Sequence, residues 1–105
     1  MNAETTYPEL FQLFACYFNQ DYDVMVDNFD RSKPIVPQLV QGYKEGSSKR
    51  NINKAIKELD SLVDKHYTND VLYHLSSELG NDIDIEKFGY TYQQFFIEVR
   101  RLLRQ

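Results

Sequence analysis

The chain has 105 residues, a net charge of −4 and a single cysteine, Cys16. That length predicts one domain that buries roughly 65% of its unfolded surface. A lone cysteine excludes an internal disulfide and fits a reducing compartment. The start, MNAETTYPEL, has neither the positive nor the apolar region of a signal peptide. No apolar run approaches the roughly 20 residues of a bilayer span. The expectation is a soluble, cytoplasmic domain with no membrane contact.

The first segment to read as an element has Leu10, Phe11, Phe14, Tyr17 and Phe18 at three- and four-residue steps, one side of a helix. Its start is marked twice, by Thr6 and Glu9 at capping-box spacing and by Pro8, which suits a first helical position. Residues 19–31 follow as a longer connection, in which Tyr22, Met25, Val26 and Phe29 are spaced for one helical turn. A second helix carries Val36, Leu39, Val40 and Tyr43 and begins near Ile35, since an interior proline would break it after Pro34 and Pro37. The stretch KEGSS ends it and caps the next. The third and longest helix has the stripe Ile52, Ile56, Leu59, Leu62, Val63 and His66. A fourth opens at Asn69, buries Leu72, Leu75 and Leu79, and stops at Gly80 in a left-handed cap. After an acidic loop of ten residues, Thr91 and Gln94 form a capping box. Tyr92, Phe95, Phe96, Val99, Leu102 and Leu103 then line the last helix, whose final turns carry Arg100, Arg101 and Arg104. No stretch alternates with the period of a strand. The predicted fold is all-α, a compact single-domain bundle of about five amphipathic helices spanning residues 1–105.

Charge is unevenly spread. Residues 1–30 carry six acids and no base, residues 31–66 eight bases and four acids, and residues 67–105 six acids and four bases. An acidic head argues against nucleic-acid or anionic-membrane binding through that region. Lys49, Arg50, Lys54 and Lys57 read as the solvated face of one helix.

Nothing in the chain reads as a catalytic or metal site. His66 and His74 are eight residues apart across a helix break, not at one-turn spacing. Cys16 lies among aromatics and acids, which favours a small buried residue over a nucleophile. Calcium-loop registers from Asp21 and from Asp82 fail: the first puts Met25 and Val26 at positions 5 and 6, the second Lys87 where glycine is needed. No cofactor is called for. What remains is two acidic clusters interleaved with aromatics. One is Asp21, Asp23, Asp27 and Asp30 with Tyr22 and Phe29. The other is Asp82, Asp84 and Glu86, followed by Phe88, Tyr90 and Tyr92. Charge steers an encounter and tyrosine rings anchor it, so these clusters point to a basic protein partner.

The sequence resembles the small helical immunity proteins of contact-dependent growth inhibition systems. The resemblance rests on YPELFQLFACYFNQDYD, on IKELDSLV and LSSELG in the third and fourth helices, and on GYTYQQFFIEVRRLL. Within these, Tyr17-Phe18-x-Gln20-Asp21-Tyr22 and Gly89-x-Thr91-Tyr92 match the family pattern. Phe96 departs from it, since a tryptophan is usual there or beside it, and the loop over residues 23–32 is longer. The resemblance implies a non-enzymatic inhibitor that forms a 1:1 complex, as a monomer, with the basic, nuclease-type C-terminal domain of a secreted toxin, and no direct contact with nucleic acid. A signature shared by proteins that neutralise different toxins is framework, which assigns Tyr17, Phe18, Gln20, Asp21, Gly89, Thr91 and Tyr92 to folding. Toxin recognition then falls to Tyr22, Asp23, Asp27, Asp30, Asp82, Asp84, Glu86 and Tyr90. The alternative is a helical adaptor for a basic cellular partner.

Overall fold

A computed structural model of the chain describes residues 3–26 and 28–105. In chain order the elements are Ala3–Thr6 (α1), Pro8–Tyr17 (α2), Tyr22–Met25 (α3), Ile35–Glu45 (α4), Lys49–Val63 (α5), Asn69–Glu78 (α6), a 3₁₀ turn at Ile85–Phe88, and Tyr92–Arg104 (α7). Among the described residues there is no strand. The five expected helices are α2, α4, α5, α6 and α7, and α3 is the turn expected in the long connection. Two short elements were not foreseen: α1, and the 3₁₀ turn within what read as an acidic loop.

The caps follow local chemistry where a hydroxyl is available. Ser48 accepts from the Asn51 N–H at 3.2 Å, and Thr68 from the Val71 N–H at 3.3 Å. Thr91 accepts from the Gln94 N–H while the Gln94 amide accepts from the Thr91 N–H, which completes the capping box. Gly80 holds φ at +94° after α6, as expected. The start of α2 resolves the two overlapping signals in favour of Pro8. Tyr7 occupies the cap position and gives no side-chain bond. The work is done from across the fold, because the Glu58 carboxylate of α5 accepts from the N–H groups of Glu9 (3.1 and 3.3 Å) and Leu10 (3.1 Å).

Helix α7 packs against α4, α5 and α6, while α2 packs against α4 and α5. Between α2 and α7 lies a cluster of four phenylalanines, with Phe14 at ring-centroid distances of 5.3 Å from Phe18, 5.7 Å from Phe95 and 5.8 Å from Phe96. Edge-to-face and tilted pairs of this kind add to the burial of large apolar area. Leu10, Leu13, Leu39, Leu59, Leu79 and Ile85 close the core around them. All six residues expected to line α7 are buried. The α5–α7 seam is tied by Asp60, which pairs with Arg100 at 3.3 Å and Arg104 at 2.7 Å.

Three expectations need correction. Cys16 is exposed, not buried. It lies on the solvent side of α2 one turn from Gln12, with its Sγ 3.8 Å from the Gln12 amide oxygen, whereas Leu10, Leu13 and Phe14 take the inner side. His66 does not belong to the apolar stripe: α5 has ended, and His66 is exposed in a turn with φ +53°. Leu75 is only half-buried, and Ser76 is the polar residue that α6 sends inside, where its hydroxyl accepts from the Asn81 side-chain amide at 2.8 Å.

Candidate functional site

The two acidic clusters differ once folded. In the first, Asp23 is ion-paired with Arg31. The Asp30 carboxylate accepts from the backbone and hydroxyl of Ser32, at 2.9 and 2.6 Å, with Lys33 3.8 Å away. The Ser32 hydroxyl bond is the main reason its carboxyl is held below the usual range, with the Ser32 backbone bond second. Tyr22 stacks edge-on against Phe29 at 5.2 Å and packs on the core. Asp27 lies outside the described residues. The head that reads as six acids without a base is therefore partly balanced by the two cations that follow it.

The second cluster has no such balance. Asp82, Asp84 and Glu86 lie on the connection between α6 and α7, and they share a groove of about 570 Å³ with Asp70 of α6. Tyr73 and Tyr92 line the same groove, and neither lysine nor arginine does. Among the described residues none of the four carboxylates is in an ion pair. Asp84 accepts from the Glu86 N–H at 3.2 Å, which starts the 3₁₀ turn, and buried Ile85 plugs that turn into the core. Tyr92 is buried and Tyr73 is 51% exposed, with rings 5.4 Å apart and near perpendicular. Burial pushes the Tyr92 phenol above its ordinary value, and the nearby charges of Asp84 and Glu86 push it further. The negative field of the loop thus reaches the groove floor. Asp70, Tyr73 and the α6 wall were absent from the expected set. Asp70 is 12 and Tyr73 nine positions from Asp82, and the packing of α6 beside the loop brings them in.

Tyr90, expected at the same surface, instead packs half-buried against Phe95 at 6.3 Å. Burial raises its phenol as well, with Glu98 adding to the effect. The residues assigned to the framework occupy these places. Phe18 is buried, and Tyr17 stacks on Tyr43 at 6.1 Å. The Gln20 side-chain amide donates to the Asp82 carbonyl at 2.8 Å, and the Asp82 N–H donates to the Phe18 carbonyl at 2.8 Å. Those two bonds fasten the acidic connection to the end of α2. Asp21 stands exposed at the start of α3 and gives no side-chain cap bond. Gly89 takes φ +89° to end the 3₁₀ turn, and Thr91 caps α7.

Among the described residues no group of three His, Cys, Asp or Glu is placed to hold a metal, and no helix is long and apolar enough to cross a membrane. Residues 6–103 match the family model described as CdiI immunity protein. No curated protein and no solved structure matches the chain.

Proposed function

The chain belongs to the CdiI immunity protein family, and on that premise we propose that it neutralises its toxin by stoichiometric, non-covalent blockade, offering the carboxylate groove to a basic cleft. The observation that carries this reading is the set Asp70, Asp82, Asp84 and Glu86, gathered on one groove with no lysine or arginine in its lining. Clustered like charges cost the isolated protein some stability, a cost that a cationic partner would offset on binding. A toxin that binds phosphate, a nuclease above all, has such a cation-lined cleft, and occupying it would exclude nucleic acid without any turnover. The toxin domain would be bound as a 1:1 complex in the cytoplasm.

Asp23 and Asp30 hold a smaller share in this reading. Each already has a partner within the chain, so a toxin must compete with Arg31, or with Ser32 and Lys33, for them. Charge steering still benefits from both, because the Debye length near 0.15 M salt is about 8 Å.

The test is the triple variant Asp82→Asn, Asp84→Asn, Glu86→Gln, which keeps size and hydrogen-bonding capacity. Its affinity for the toxin domain encoded beside it should fall by at least tenfold, given that truncating close interfacial charges costs on the order of 2–5 kcal/mol. The salt dependence of binding should flatten with it. Degradation of nucleic acid by the toxin should be stopped by one equivalent of the native chain and not by the variant. Native affinity and full protection by the triple variant would refute the groove.

A further inference from the structure

A second depression adjoins the acidic groove and has the opposite character. Leu62, Val63, Leu72, Phe96 and Ile97 line it with His66, and its volume is about 260 Å³, room for one or two large apolar side chains. Ile97 is 49% exposed although α7 otherwise points its large apolar residues inward. The two depressions share a wall. Gln93, which lines the apolar cleft, donates its N–H to the Asn69 side chain of the acidic groove at 2.9 Å. Gln93 also donates its side-chain amide to the Tyr67 carbonyl at 3.0 Å. The acidic groove and the apolar cleft therefore meet where the Gln93 main chain is bonded to the Asn69 side chain.

His66 supplies an independent sign. Its φ of +53° places a non-glycine residue in the left-handed region, at a cost of roughly 1–2 kcal/mol. Glycine would sit there without strain, as Gly80 and Gly89 do elsewhere in the chain. Residues kept in such conformations cluster where a side chain is needed for binding. Here the side chain kept is an exposed imidazole on the cleft.

We propose that the apolar cleft between α5, α6 and α7 receives an apolar side chain of the toxin that docks on the acidic groove, so that the interface has a charged half and an apolar half. The proposal rests on the groove reading and deepens it. Charge gives an interface its approach rate and its selectivity, while buried apolar anchors supply most of the affinity. A cation-lined toxin surface that met only carboxylates would have the first and lack the second.

The experiment measures the dissociation constant for the neighbouring toxin domain at low and high salt for three variants. Ile97→Ser is neutral and half-exposed, so it leaves both fold and field in place. It is expected to weaken binding about tenfold at both salt concentrations, the factor for the exposed half of one isoleucine. His66→Gly is expected to raise the thermal midpoint and weaken binding together, a combination that a purely structural histidine does not produce. The acid triple variant is the control for the groove. Native affinity in Ile97→Ser alongside weak binding by the acid variant overturns the cleft and leaves the groove standing. Weak binding by Ile97→Ser alone ends the groove reading, and with it the proposed two-part interface. Native affinity in both ends both.

Discussion

Replacing Glu58 tests how the fold compensates for the missing cap on α2. The N–H groups of Glu9 and Leu10 are the second and third of that helix, the pair an N-cap side chain normally takes. Here one half-buried carboxylate takes both. Glu58→Ala leaves the two donors without that acceptor, at roughly 0.5–1.5 kcal/mol each, so the expected loss is about 1–3 kcal/mol. For a domain of this size each kcal/mol is worth roughly 4–8 °C in Tm. Glu58→Gln keeps an acceptor oxygen and removes the charge. Burial raises the Glu58 carboxyl above its ordinary value of 4.5 and Glu9 adds to the rise, against the opposing pull of the two N–H bonds and Lys54. The charge is therefore a net liability in the fold, and Glu58→Gln should cost under about 1 kcal/mol or stabilise. The pH dependence follows. Between 4.5 and the raised value the folded chain keeps a proton on Glu58 that the unfolded chain has released, so stability rises as pH falls through the raised value and levels off below 4.5. Glu58→Gln should abolish that rise. Asp30 and Glu98 act in the opposite sense and lower down. Ser32 and Arg101 hold their carboxyls below 3.8 and 4.5 respectively, so their share is lost only as pH falls beneath those values. Urea denaturation of the three proteins between pH 4 and 7.5 reads the Glu58 effect. If Glu58→Gln is as damaging as Glu58→Ala at pH 7, the charge itself stabilises and the reasoning is wrong.

Two further substitutions probe the frame. Gly80→Ala should cost about 2–4 kcal/mol by chemical denaturation, because φ is +94° and the new Cβ would stand 2.8 Å from Ala15 Cβ and 3.0 Å from Ala15 Cα. Gly89→Ala, at φ +89° with nothing within 4 Å, should cost only the backbone share, about 1 kcal/mol, so the difference isolates the clash. Lys44 donates to the Leu102 carbonyl at 3.1 Å and the Gln105 carbonyl at 2.8 Å at the end of α7, and Lys44→Met should lose about 0.5–1.5 kcal/mol in the same measurement.

What could be read from the sequence was local. The α7 stripe, its capping box and the Gly80 stop are set by residues within a few positions of one another, and each appears where the spacing places it. What could not be read was long-range. Glu58 caps a helix that begins 50 positions earlier, Lys44 caps one that ends 60 positions later, and no local pattern records either. The same limit hid the pairing of Asp23 with Arg31 across a loop whose path is not written in its periodicity. Cys16 is different. Its exposure follows from the helical wheel, since it lies one turn from the exposed Gln12, and its aromatic neighbours in sequence were a poor guide.

The pair of bonds between the end of α2 and Asp82 is made entirely by the backbone of Asp82. The route of the segment is thus moored by main chain at its start, by buried Ile85 in its middle and by the Gly89 swivel at its finish. Side chains at 82, 84 and 86 can be exchanged for others of different charge while those moorings hold, provided position 84 keeps an acceptor for the turn. Such a segment has the form of a replaceable cassette: if the proposed groove is the surface that meets the toxin, a lineage of these proteins could follow a drifting toxin by rewriting three positions, without renegotiating the helices beneath.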